Sequence, residues 1–123
     1  MDNRFATADL DEQCALLQCT GELDLVSRSD LFARLDELTR TKASRLVVDL
    51  SGVTFMDCGS VGVLEVAARG LGPGRSLFVV VPAGIVARLF SVIDLDPALL
   101  LTDSLEDALA GRARRLPAWS VDG

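Results

Sequence analysis

The chain contains no histidine and no tyrosine. Histidine is the usual general base near neutral pH and the commonest metal ligand, so its absence removes the familiar acid–base and zinc chemistries together. Cations are also scarce. Twelve Lys and Arg against 18 Asp and Glu leave a net charge of −6, which argues against nucleic acid as a partner, since phosphate binding needs clustered cations. Acids gather in the first third (Asp2, Asp9, Asp11, Glu12, Glu22, Asp24), whereas Arg112, Arg114 and Arg115 sit together near the end. No apolar run reaches the ~18 residues that span a bilayer. The start, Met1-Asp-Asn-Arg-Phe5, lacks the basic and apolar regions of a signal peptide. A cytoplasmic protein without direct membrane insertion is expected. The three cysteines do not change this. Cys14 and Cys19 fall in one expected strand, ~16 Å apart, too far for a bridge, and with Cys58 they read as reduced thiols. No Gly-rich loop has nucleotide-binding spacing and no cluster suits a metal, so neither cofactor nor enzyme activity is expected.

What is present is a core. Half of the 123 residues are hydrophobic, enough for one domain without disulfides. Residues 3–8 and 13–20 read as two strands, joined tightly and hence antiparallel, with Gly21-Glu-Leu-Asp24 closing the pair. Ser27-Arg-Ser-Asp30 resembles a capping box opening a helix to about Thr41, with Leu31, Phe32, Leu35 and Leu38 as its buried stripe. Arg45–Leu50 is a strand covered on both faces. A helix over about 59–70 follows, then a Gly72-Pro73-Gly74 turn and a strand at Ser76–Val81. A helix starts near Pro82-Ala83, with Ile85, Val86, Leu89 and Val92 on one face. Ala98–Leu101 is a short last strand, and Asp103-Ser-Leu-Glu106 is a second capping-box pattern for a helix through Leu109. Strands alternating with helices predict an α/β domain over residues 1–110 with a mostly parallel mixed sheet. Residues 111–123 read as a C-terminal tail that frays, or as a docking segment anchored by Trp119.

The most informative segment is residues 46–64, a buried strand, a tight turn and a helix start. The turn holds an acid (Asp57), a thiol (Cys58), a hinge (Gly59) and a hydroxyl (Ser60). Free N–H groups and the positive dipole end at a helix N-terminus favour anions. At ~100° per residue, Val61, Leu64, Ala67, Ala68 and Leu71 share the core arc. Cys58 then projects outward and Ser60 inward. Asp57 is expected to cap the helix. Asp24 is a turn acid, Gly62 leaves an open patch, and Val63 and Val66 border it outside the core arc.

The residues resemble the STAS domain, specifically the anti-sigma factor antagonists. The likeness is carried by Gly21-Glu22-Leu23-Asp24, by Asp49-Leu-Ser-Gly-Val-Thr-Phe-Met-Asp57 with Gly62-Val63-Leu64, and by Val86-Ala-Arg-Leu-Phe90 to Asp94-Leu95. The resemblance implies a partner, an anti-sigma factor of the histidine-kinase-like ATPase class, whose capture frees a sigma factor. It also implies a phosphoserine switch directly after Asp57, with Asp24 close by; with the open patch on the second helix, partner contacts are expected at Asp24, Asp57, Cys58, Gly59, Ser60, Gly62, Val63 and Val66. Here that acceptor position is Cys58, so switching by phosphate is not expected there; Ser60 is the minor alternative acceptor. Two other readings keep the fold: a STAS subunit of a lipid- or anion-transport complex, and a thiol-based redox regulator using Cys58. The sequence leaves a homodimer open.

Overall fold

The computed structural model describes residues 4–113, so the expectations for residues 114–123, Trp119 included, lie outside the described residues. The order is β1 (Phe5–Asp9), β2 (Cys14–Leu23), α1 (Arg28–Thr39), β3 (Arg45–Met56), α2 (Cys58–Arg69), β4 (Ser76–Val80), α3 (Ile85–Val92), β5 (Leu99–Thr102) and α4 (Leu105–Leu109). The five strands lie in sequence order in one sheet. β1 is antiparallel to β2, and every later neighbour is parallel.

That order dictates where the helices go. Parallel crossovers have a fixed right hand, and here each steps the same way across the sheet. α1, α2 and α3 therefore land on one face, where Leu31, Leu35, Val61, Leu64, Val86 and Phe90 pack with alternate strand residues such as Leu46, Val48 and Leu50. The intervening residues, among them Val47 and Phe78, meet α4 through Ala108 on the other face. A sheet that never reverses direction between parallel strands has no switch-point crevice, the usual ligand site of open α/β sheets.

The helices correct two expected faces. Phe32 is 57% exposed rather than buried. Leu31, Leu35 and Leu38 define the buried axis of α1, and Phe32 lies ~90° off it at ~100° per residue. On α3 the buried residues are Val86, Ala87 and Phe90, which leaves Ile85 and Val92 on the water side. Both capping boxes also change. Ser27 makes no side-chain cap; its hydroxyl accepts from the Asp24 N–H at 3.0 Å instead. At α4 the cap is Ser104, one residue later than expected, accepting from the Asp107 N–H at 3.2 Å.

The middle strands run further than their apolar runs suggest. β4 pairs β3 only as far as Asp49, whereas β2 continues along β3 to Leu23 opposite Met56. Gly21-Glu22-Leu23 is therefore strand rather than a closing turn. The extension passes through two register shifts. Gly21 adopts φ +78° there, and Gly52 is needed for close approach, since a Cβ on it would lie 2.8 Å from Thr20 Cγ2. This protruding ribbon carries the chain to the start of α2.

Candidate functional site

The end of β2 and the start of α2 share one acceptor, the Leu23 carbonyl. It accepts from the Asp57 N–H at 3.1 Å and from the Ser60 hydroxyl at 3.2 Å. Ser60 is 0% exposed, as the helical arc requires, and its hydroxyl serves as a fastener between α2 and β2. Although read with the surface residues of the turn, it presents no atom to a partner. Cys58, two residues earlier, is exposed.

Asp57 caps α2 by accepting from the Ser60 N–H at 2.9 Å. Its second oxygen pairs with Arg28 at 3.0 Å across 29 residues. Partial burial would raise the Asp57 pKa, but the hydrogen bonds from Ser60 and the charge of Arg28 outweigh it and hold the carboxyl below its ordinary value. The Arg28 guanidinium also lies over Gly59, where any Cβ would collide with it. A glycine at this position lets α1 reach across and neutralise the acid beside the exposed thiol. The sequence held no signal for this pair, since Arg28 looks like an ordinary first-turn residue.

Asp24 begins the β2–α1 loop. Its carboxylate accepts from the N–H groups of Val26 at 3.1 Å and Ser27 at 3.3 Å, which fixes the loop beside the α2 terminus. Further along α2, nothing lies within 4 Å of a Cβ built on Gly62. Val63 and Val66 face Phe32 across a shallow cavity of about 170 Å³ between α1 and α2, also lined by Leu35, Ala67 and Gly70. Phe32 is therefore a wall of the patch that Gly62, Val63 and Val66 begin. Its angular offset from Leu31 and Leu35 was the available signal.

The other two thiols lie apart from this surface. Burial, reinforced by the charge of Asp49, pushes Cys19 up to about 12. Burial also raises Cys14, helped by Asp11 and opposed by Arg45. Among the described residues no group of three or more His, Cys, Asp or Glu could hold a metal, and no helix is long and apolar enough to cross a membrane.

Comparison with known proteins agrees with this architecture. The family described as "Mlab, STAS domain" matches residues 6–103. The anti-sigma-F factor antagonist RsfB of Mycobacterium tuberculosis is 37% identical over 99 residues, covering 79% of this chain and 80% of that protein. The crystal structure of an anti-sigma factor antagonist from Mycobacterium paratuberculosis superposes with a TM-score of 0.81 at 25% identity, over 87% of this chain and 91% of the other. The phosphorylated form of the Bacillus cell-fate determinant SpoIIAA, at 17% identity, shares the fold, with a TM-score of 0.63 over 87% of this chain and 97% of its own. The chain belongs to the STAS-domain family of anti-sigma factor antagonists.

Proposed function

We propose that this domain binds an anti-sigma factor of the histidine-kinase-like ATPase class through the amino end of α2, and so frees a sigma factor, without a phosphate switch at the family position. The contact surface runs from Asp24 over Asp57, Cys58 and Gly59 to Gly62, Val63 and Val66; Ser60 supports it from inside. One observation carries the second half of the reading. The exposed acceptor position is a cysteine, while the nearest hydroxyl in the turn is fully buried and already bonded. The similarity to RsfB supports the first half. On this reading the protein is a non-catalytic regulator acting in the cytoplasm.

The test is a pull-down with the purified domain. Recovery of a histidine-kinase-like ATPase by the wild type, and its loss with Val66→Arg at unchanged melting temperature, is the expected result. Recovery of a membrane ABC transporter instead would move the domain to a transport complex. Unchanged capture by Val66→Arg would remove the α2 patch from the contact.

A further inference from the structure

Two aliphatic side chains stand in water beside the α2 terminus, on a loop built to hold them there. Leu25 is 73% and Val26 is 84% exposed. Their loop is not slack. The Asp24 carboxylate binds the N–H groups of Val26 and Ser27. The buried Ser27 hydroxyl accepts from the Asp24 N–H at 3.0 Å and contacts the Glu22 carbonyl at 3.3 Å. The Ser27 carbonyl then accepts the Leu31 N–H at 2.9 Å, opening α1. An apolar tip held in one conformation loses little entropy when covered, and it adjoins the site through Leu23, whose carbonyl binds Asp57 and Ser60.

Among the described residues, the charges around the tip that carry no ion pair are acidic. Glu22, Asp24 and Asp30 form no ion pair with a described residue, while Arg28, the cation among them, is tied to Asp57. A second copy meeting this patch about a two-fold axis would set these acids against themselves, so self-association does not suit it.

We infer that Leu25 and Val26 are the apolar anchor of the interface, and that the partner meets them with an apolar pocket bordered by Arg or Lys. This rests on the anti-sigma factor reading above and adds the loop and the partner's chemistry to it. The probes are purified histidine-kinase-like ATPase domains from the same genome, titrated calorimetrically with wild type, Leu25→Ser/Val26→Ser and Glu22→Gln/Asp30→Asn. Losing two aliphatic contacts should weaken binding at least about tenfold, with thermal melting unchanged because both side chains are solvated. The charge variant should bind more weakly and lose part of the salt dependence. If the serine variant destabilises the fold, Val26→Gln alone should still reduce affinity several-fold. A wild type that binds while the serine variant binds within about twofold overturns the loop assignment alone. A wild type that binds no such ATPase overturns the functional reading, and this inference with it.

Discussion

Replacing Ser60 by alanine and by aspartate tests the buried fastener directly. The Ser60 hydroxyl makes one hydrogen bond, to the Leu23 carbonyl, which also accepts the Asp57 N–H. Alanine thus removes a donor without orphaning the acceptor. The net loss is about 0.5–1.5 kcal/mol for the bond, offset by about 0.5 kcal/mol of better helix propensity. Ser60→Ala should cost about 1 kcal/mol or less. Aspartate differs in kind. Its carboxylate would enter a site with 0% exposure and face the backbone oxygen of Leu23, at a cost of several kcal/mol. For a domain of this size, with a urea m-value of about 1–2 kcal/mol/M, alanine should lower the midpoint by less than about 1 M and aspartate by about 2 M or more. Urea unfolding followed by far-ultraviolet circular dichroism reads both. If the aspartate variant lies within about 0.5 kcal/mol of the alanine variant, Ser60 is not enclosed, and a kinase could reach it without opening the helix end.

Two further predictions concern the ionisable groups. Asp57→Ala removes the α2 cap, worth about 0.5–2 kcal/mol, and a partly exposed ion pair worth at most about 1 kcal/mol, so denaturant titration should show a loss of about 1–2 kcal/mol. The pH profile of stability follows from the composition and three shifted groups, Asp57, Cys19 and, on the alkaline side with Cys19, Cys14. With no histidine, stability should be flat from about pH 5.5 to about pH 8. The depressed Asp57 pKa means its contribution is present above the ordinary carboxylate pKa of 3.8 and lost as pH falls through the folded value. The raised Cys19 pKa means stability is lost from the ordinary thiol value of 9.0 up to about 12, because the unfolded thiol ionises first, at up to about 1.4 kcal/mol per pH unit. A Cys19→Ala variant should show a shallower alkaline limb in melts at stepped pH; an unchanged limb would contradict the burial assigned to this thiol.

The strand, turn and helix at 46–64 were legible because local chemistry decides them. An apolar run, a capping acid and an arc of Val61, Leu64 and Ala68 all agree, and the same arc places Ser60 inside. The misses arose where local pattern underdetermines packing. α3 is apolar nearly all round, so Ile85 and Val92 were as plausible inward as Ala87 and Phe90; only the position of the sheet selects the face. Phe32 is large and apolar, yet α2 approaches α1 through the Leu31–Leu35 line and leaves it at the rim. The β2–β3 ribbon contains Gly21, read as part of a segment closing the first strand pair, and Gly52, beyond the expected strand end at Leu50; here they permit a register shift and close approach. The Arg28–Asp57 pair joins residues far apart in sequence, and nothing at either position announces the other.

The central claim is that this domain engages its partner without a phosphate switch, because Cys58 occupies the exposed acceptor position and Ser60 lies inside. The most direct measurement incubates the complex of the domain and its kinase-like partner with ATP, and follows dissociation and phosphate incorporation by mass spectrometry. The wild type should remain bound and unmodified, while Cys58→Ser, with a hydroxyl restored at the exposed position, should take up phosphate at residue 58 and dissociate. Stoichiometric phosphate on Ser60 of the wild type, with release of the partner, would contradict the account.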